Sequence, residues 1–457
     1  MKDGNLFHLG VVVISALTLP ATAQAAEVTR SQDIECRVEI SGPIERGDFE
    51  KLSALEKHLV VQDGESTSDS VVCLDSPGGS VTEGLKMAAF FLEKGVSTRI
   101  RAGAECHSIC AIMFMMGNYR GSEVAGLSRR MHATARLGFH RPYLTLEEAG
   151  SFTSGEIEDS YDFGVSTIFE FLTLANQREP WGPGRMIEPD LMQRITGTPG
   201  DDLFYISTVE HALHWDIGID GVTEPKEIGS LHLLFACENA LAAGVSLTTE
   251  LAGSGLVGNE IFGLAPVNPY TIKAAVDGVR WDPQSEAFEV TSLRSGYSNV
   301  TCEVVPSGGS AMVCGTDEQT NIRLGECGTP YGRWSFASLA FYHPATELRA
   351  LPLIAGNAPE AVKLRHCQVF DSDGALVDDD PCIQQVLLIR DGKGPRSQHL
   401  FDWPSGSRTV VEIEARDDDF SGAFRLNGSP ATSVPQTGPA NCILNTTSGN
   451  VFCISDY

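Results

Sequence analysis

Apolar residues in the first half of the chain follow two alternating periods. Between about residues 34 and 219, short apolar runs such as SVVCLDS predict buried strands, and longer segments with apolar residues at helical spacing predict helices. The segment SVTEGLKMAAFFLEKG is one such helix, with apolar positions from Val81 to Leu92 and Gly95 placed to end it. This order of elements predicts an α/β domain whose parallel strands are joined by right-handed crossovers.

The second half of the chain carries a different pattern. Short stretches such as AFEVTSL, VLLIRD and RTVVEIEA are separated by Gly, Pro, Asn and Asp, which predicts strands joined by turns. We therefore expect an α/β domain over 26–235, a linker region over 236–270 that is rich in Ala, Leu and Gly, and a disulfide-braced β-rich domain over 271–457.

The first residues carry the pattern of an export signal. A lysine near the start precedes an apolar run over 6–19, and residues 23–25 fit an A-x-A cleavage site. The apolar run is short for a bilayer span, so a signal peptide over 1–25, cleaved before Ala26 or Glu27, is favoured over a retained anchor. We expect the mature protein to be periplasmic or secreted.

Export determines how the 12 cysteines are interpreted, because oxidising compartments favour disulfides. Three pairs each bracket a turn-rich stretch and predict hairpins stapled across their strands: Cys302 with Cys314, Cys367 with Cys382, and Cys442 with Cys453.

The net charge of the chain indicates which classes of partner it can bind. The chain has 60 acidic and 33 basic residues, and its net charge of −27 repels phosphate backbones and anionic lipid. We therefore expect no nucleic-acid partner.

One serine lies where a small, polar stretch runs into an apolar helix. In AGAECHSICAIMFMMG, Ser108 stands at this change, a position where serine more often caps a helix than acts as a nucleophile. Upstream, the turn SPGGSVTEG contains Gly78 and Gly79, and glycines there let the backbone bend and expose its N–H groups. Downstream, His140 lies in the segment FHRP.

Together these segments, with an acidic turn before FYIS, resemble the ClpP-type serine peptidases of the ClpP/crotonase superfamily. The arrangement LDSPGGSV…C.S.C…F..G is most similar to an exported branch of that superfamily, and the resemblance covers about residues 33–220. It implies a ClpP/crotonase-type domain with Ser108 as nucleophile, His140 as general base, and Asp201, or alternatively Asp202, as the acid that orients the imidazole.

The resemblance also implies an oxyanion hole made by the backbone N–H groups of Gly79 and Ile109. The expected function is that of an exported serine hydrolase, a peptidase that needs no cofactor or metal. Its polypeptide substrates would be short or already unfolded, because no ATPase partner is expected after export. Homo-oligomers are common in the family.

The surroundings of the serine leave alternatives open. Cys106 and Cys110 could pair with each other or with Cys73 and Cys36, and His107 and His132 are rival candidates for the base. A metal site would have to use these groups: Cys106, His107, Cys110, and His132 or His140.

Oxidised sulfur disfavours that metal site. The alternative to an enzyme is a catalytically inactive ClpP-fold protein that binds partners or serves as a scaffold, with the β-rich domain as the recognition surface.

Overall fold

A computed structural model gives the structure of the chain. It describes residues 25–31, 35–61, 66–143, 153–180, 184–225, 227–247, 269–293, 301–307, 309–317, 322–325, 327, 332–353, 360–390, 395–403, 408–414, 424–434 and 440–456. The predicted signal peptide therefore lies outside the described residues except for Ala25, as does the part of the predicted linker over 248–268. None of the described helices is both long and apolar enough to span a bilayer.

The described residues form nine α-helices in chain order. They are α1 (Asp48–Ala54), α2 (Glu56–Leu59), α3 (Val81–Lys94), α4 (Ile109–Met115), α5 (Ser154–Ala175), α6 (Pro189–Gly197), α7 (Val209–His214), α8 (Ser230–Leu247) and α9 (Pro269–Gly278).

The strands of the first part of the chain are β1 (Glu27–Arg30), β2 (Val38–Ser41), β3 (Val71–Asp75), β4 (Ser97–Ile100), β5 (Glu105–His107), β6 (Asn118–Arg120), β7 (Ala125–Leu127), β8 (Arg129–His132), β9 (Arg136–Phe139), β10 (Phe204–Tyr205) and β11 (Gly218–Asp220).

The strands of the second part are β12 (Arg280–Asp282), β13 (Ala287–Thr291), β14 (Thr301–Ser307), β15 (Ser310–Asp317), β16 (Ile322–Leu324), β17 (Trp334–Ala337), β18 (Glu360–Phe370), β19 (Leu376–Arg390), β20 (Pro395–Asp402), β21 (Arg408–Glu414), β22 (Phe424–Leu426), β23 (Ser429–Val434), β24 (Asn441–Asn445) and β25 (Val451–Asp456).

The first unit is built on a sheet with the order β1-β2-β3-β4-β8-β11. Its first pair is antiparallel and the others are parallel, and a small second sheet, β10-β9-β5, lies beside it. Ser80 caps the start of helix α3, because its side chain accepts a hydrogen bond from the Glu83 N–H. Gly95, where φ is +67°, caps the end of the helix. The predicted mixture of helices and parallel strands is confirmed.

The second unit packs helix α8 on an antiparallel sheet formed by β12 to β17. Phe235 and Leu234 of the helix pack with Val290, Val304 and Val313 of the strands in one buried core. Helix α8 begins before position 236, so it crosses the boundary between the predicted α/β domain and linker region.

The third unit is a closed antiparallel sheet in which β18 to β25 pair in order and β25 returns to β18. Its centre is aromatic: the rings of Phe401 and Phe452 lie 5.0 Å apart, and Trp403 packs against Phe452. The predicted β-rich C-terminal part is therefore confirmed, and it consists of two separate sheets.

All 12 cysteines form disulfides. The pairs are Cys36–Cys73, Cys106–Cys110, Cys237–Cys302, Cys314–Cys327, Cys367–Cys382 and Cys442–Cys453. Six disulfides and no free thiol indicate an oxidising compartment outside the cytoplasm.

One of the three predicted hairpin disulfides is wrong. Cys302 lies directly opposite Gly315 in the β14–β15 ladder, so Cys314, one residue away, points to the other face of the sheet. Cys302 therefore bonds to Cys237 of α8, whereas Cys314 bonds to Cys327. The other two predicted hairpin disulfides are confirmed.

Candidate active site

The turn between β3 and α3 is held in a conformation that requires glycine. Gly78 has φ +97° and Gly79 has φ +141°, both in the region that side chains disfavour. A Cβ on Gly78 would lie 2.7 Å from the Cβ of Ser108, and one on Gly79 would lie 2.2 Å from the carbonyl oxygen of Ile44. The turn is therefore in close contact with the serine on one side.

Ser108 stands at the junction of β5 and α4 with an unusual backbone conformation. Its φ of +58° and ψ of −125° are rare for a residue with a side chain, and its N–H donates to the Gly138 carbonyl at 3.0 Å. The hydroxyl does not cap α4, although the residue occupies the capping position. The side chain is half-buried.

Two backbone N–H groups beside Ser108 remain unused. In the parallel bridge to Ile44, the neighbouring groups Gly78 C=O and Ser80 N–H make the hydrogen bonds, and the N–H of Gly79 takes no part. Within the described ranges, neither this N–H nor that of Ile109 donates to any acceptor. These are the two donors that the sequence resemblance assigns to an oxyanion hole.

His140 follows the end of β9 and faces the same small cavity as Ser108. Its Nδ1 lies 2.8 Å from the carbonyl oxygen of Arg141. Because a carbonyl can only accept a hydrogen bond, the proton of the neutral ring is on Nδ1, which leaves Nε2 free to act as a base. The ring also packs against Tyr143, with centroids 5.2 Å apart.

The cavity that brings these residues together has a volume of about 20 Å³, which is room for about one water molecule. Besides Ser108 and His140, its lining is apolar: Val81, Leu85, Ile109, Ile112, Pro142, Phe171 and Ile195. Among the described residues, neither the Ser108 hydroxyl nor His140 Nε2 has a hydrogen-bond partner. A substrate must therefore move side chains of the apolar wall.

Within the described part of the chain, neither of the two predicted acids is hydrogen-bonded to the histidine. Asp201 and Asp202 are both exposed, and Asp202 accepts a hydrogen bond from the Leu203 N–H at 2.8 Å. Their turn is nearby in the fold, since the Arg141 N–H donates to the Thr198 carbonyl at 3.1 Å. The partner of the imidazole Nδ1 is the Arg141 carbonyl, which no side-chain pattern in the sequence could have indicated.

His107 lies next to the serine but is packed as a buried ring. It contacts Tyr205 edge-on at 5.6 Å, and its Nε2 is buried without a hydrogen bond in the described part of the chain. Burial lowers the pKa of His107, with Glu105 acting in the opposite direction and the charges of Arg136 and His140 adding to the decrease. The ring is therefore neutral near pH 7.

His132, the other rival base, belongs to a different cavity. Its Nδ1 accepts a hydrogen bond from the Thr134 N–H, and the ring lines a space of about 820 Å³ at the carboxyl ends of the parallel strands. Arg99, Arg101 and Asp220 line the same space. Burial is the main cause that lowers the pKa of His132.

The disulfide between Cys106 and Cys110 excludes the metal site that was considered from the sequence. Cys106 and Cys110 are bonded to each other and offer no thiolate, and His132 lies in the other cavity.

A buried arginine anchors the far end of α4. The guanidinium of Arg129 donates to four backbone carbonyls, those of Met115, Met186, Trp215 and Asp216, at 2.6 to 3.0 Å. Met115 is the last residue of α4, and Ser108 immediately precedes the first. The Arg129 side chain therefore holds the end of the helix that is opposite the candidate nucleophile.

No family model matches the chain, and the search of curated proteins finds no relative of it.

Proposed function

We propose that the protein is an exported serine hydrolase with a ClpP/crotonase-type domain, and that it acts as a peptidase on short or unfolded polypeptides. The observation that carries this proposal is the position of Ser108. Ser108 stands on a strained turn and shares a cavity with His140. Among the described residues, its hydroxyl and the N–H groups of Gly79 and Ile109 have no hydrogen-bond partner.

The mechanism follows from these groups. Nε2 of His140 takes the proton of the Ser108 hydroxyl as the oxygen attacks the substrate carbonyl carbon. The negative oxygen of the tetrahedral intermediate accepts hydrogen bonds from the N–H groups of Gly79 and Ile109. The imidazolium then donates its proton to the leaving amine, and water hydrolyses the acyl-enzyme by the same steps in reverse.

The Arg141 carbonyl takes the orienting role that the resemblance assigns to Asp201, or alternatively to Asp202. A carbonyl oxygen selects the tautomer that leaves Nε2 free, which is the main task of the acid in a triad. A neutral carbonyl stabilises the imidazolium less than a carboxylate does. We therefore expect slower turnover than a complete triad would give.

The compartment limits the substrates. The six disulfides place the protein in an oxidising compartment, for which we propose the periplasm after signal-peptide cleavage. No ATP-driven unfolding is available there, and the cavity beside Ser108 is small, so only an extended chain can reach the hydroxyl.

The test is the rate at which a fluorophosphonate probe labels the purified, oxidised protein. We expect labelling of Ser108, its loss in Ser108→Ala, and a decrease of at least about 100-fold in His140→Gln, in line with the usual contribution of a general base. The labelled peptide, identified by mass spectrometry, must contain Ser108. Labelling of another serine, or unchanged labelling in Ser108→Ala, would contradict the proposal.

The orienting group has its own control. The double variant Asp201→Asn/Asp202→Asn should label within about threefold of the wild-type rate, because neither carboxylate is hydrogen-bonded to His140 among the described residues. A decrease of about 1,000-fold would instead show that one of these carboxylates orients His140. Loss of the orienting carboxylate lowers kcat by about 10⁴-fold in other serine enzymes.

One observation favours the second candidate function, a non-enzymatic binding or scaffold protein. Within the described residues Ser108 and His140 are not hydrogen-bonded to each other, and no carboxylate orients the ring. A folded preparation with all six disulfides that shows no labelling would support this alternative.

A further inference from the structure

The candidate nucleophile lies inside a small covalent ring. Cys106 and Cys110 are bonded, only four positions apart, and Ser108 is midway between them. Both cysteines are fully buried, with 0% of their surface exposed. The ring also contains Ile109, whose N–H is one of the two oxyanion donors proposed above.

The disulfide joins two different elements across the serine. Cys106 belongs to β5 and forms a bridge with Ser76 at the end of the neighbouring strand, whereas Cys110 lies in the first turn of α4. The S–S bond therefore fixes the start of the helix relative to the strand at the point where the chain turns sharply.

This position has a known counterpart in another class of serine enzyme. In the G-x-S-x-G turn of α/β-hydrolases, small residues two before and two after the serine permit a strained strand-to-helix turn. Here the corresponding positions are the two bonded cysteines, and Ser108 has φ +58°. A covalent bond thus holds the turn at the place where glycines hold it elsewhere.

We propose that oxidation of Cys106 and Cys110 assembles the active site, so that hydrolysis is switched on only after export. Two thiols lose two protons and two electrons to a disulfide oxidant, which is reduced to its dithiol, and one S–S bond forms. In the reduced chain Ser108 relaxes to a negative φ, which moves both its hydroxyl and the N–H of Ile109. This inference rests on the proposed function.

The first experiment compares two double variants that each remove one disulfide. Cys106→Ala/Cys110→Ala opens the ring around Ser108, and Cys442→Ala/Cys453→Ala opens a remote hairpin of the third unit. The remote pair is 11 residues apart instead of four, so its loss costs more free energy of unfolding in the chain-entropy model. If labelling fell only because the free energy of unfolding is lower, the decrease should therefore be larger in the remote variant.

We expect the plateau rate of fluorophosphonate labelling to fall at least about tenfold in the Cys106/Cys110 variant and to stay within about twofold in the remote variant. Equal labelling of the wild type and both variants would overturn the inference while leaving the proposed hydrolase intact. Absence of labelling in the wild type would overturn the hydrolase proposal, and this inference with it.

A second experiment uses the unaltered chain, in case the variant does not fold. The wild-type protein is equilibrated in dithiol–disulfide buffers of graded potential, and differential alkylation with mass spectrometry measures the reduced fraction of each pair. We expect labelling of Ser108 to decrease in parallel with reduction of Cys106–Cys110. Full labelling of a fraction in which this pair is reduced would overturn the inference.

Discussion

Gly78 decides where the hydroxyl of Ser108 can lie. Its φ of +97° is a conformation that glycine adopts readily and that residues with a side chain disfavour. A Cβ at this position would lie 2.7 Å from the Ser108 Cβ and 2.8 Å from the His107 carbonyl oxygen. These neighbours are a side chain on a strained turn and a backbone atom, so neither can move cheaply. At the scale of single residues, the site depends on a position that has no chemistry of its own.

We predict that Gly78→Ala lowers the free energy of unfolding by about 2 to 4 kcal/mol and abolishes labelling of Ser108, because strain and overlap add. Gly103→Ala is the matched control: its φ is +73°, but nothing lies within 4 Å of the added Cβ. It should cost only about 1 kcal/mol and leave labelling unchanged. Urea denaturation and the labelling rate measure both effects, and equal costs in the two variants would contradict the steric argument.

At the scale of elements, the connection between α5 and α6 contains one half-buried carboxyl group, that of Glu179, and one buried carboxyl group, that of Glu188. Glu179 accepts a hydrogen bond from the Gly184 N–H at 2.7 Å, and Glu188 accepts one from the Arg185 N–H at 3.0 Å. Burial raises the pKa of Glu188 to about 7, against the lowering effects of the Arg185 N–H and the charge of Arg129. Burial also raises the pKa of Glu179.

The raised pKa of Glu188 predicts a pH dependence of stability. Between its ordinary value of 4.5 and about 7, the folded protein keeps a proton that the unfolded chain releases. The contribution of Glu188 to the free energy of unfolding should therefore fall as the pH rises through this window, by at most about 3 kcal/mol, and the loss should be complete above pH 7.

Glu188→Gln should remove the contribution of Glu188 to the pH dependence, because the amide oxygen still accepts from the Arg185 N–H and carries no charge. We expect the variant to be about 1 to 3 kcal/mol more stable than the wild type at pH 8 and nearly equal to it at pH 4.5. Glu158→Gln, on an exposed position of α5, is the control and should change neither value. The measurement is urea denaturation across pH, and a pH profile of Glu188→Gln that runs parallel to that of the wild type would contradict the prediction.

At the scale of the whole molecule, three cores are connected by chain segments that leave one unit and pack into the next. Residues after β17 join the core of the first unit: Tyr342 is buried there, and its hydroxyl donates to the Thr223 carbonyl at 2.5 Å. The His214 ring of α7 lies 2.8 Å from the Ala242 carbonyl of α8. The first two units are therefore packed together, with the candidate active site entirely in the first.

The second unit is further held by a disulfide that joins elements distant in sequence. We predict that a non-reducing peptide map of the purified protein contains the Cys237–Cys302 and Cys314–Cys327 crosslinks and lacks a Cys302–Cys314 crosslink. The intact protein should gain 12 hydrogens on full reduction, as expected for 12 paired cysteines. A peptide joining Cys302 to Cys314 would show that the β14–β15 register is shifted by one residue.

The sequence by itself determined the features that depend on near neighbours in the chain. The spacing of apolar residues and Gly95 specified α3, and two disulfides followed from hairpins whose paired strands are consecutive. The need for Gly78 and Gly79 was also readable, because glycine is the residue that tolerates such a turn.

Tertiary structure decided the pairings between distant segments. The partner of Cys302 depends on strand register, since a shift of one position reverses the face on which a side chain lies. The hydrogen-bond partner of His140 is the backbone carbonyl of Arg141. Because every residue has a backbone carbonyl, no sequence pattern could favour this carbonyl over the acids at 201 and 202. Local periods specify elements, whereas contacts between elements depend on how the packed core orients them.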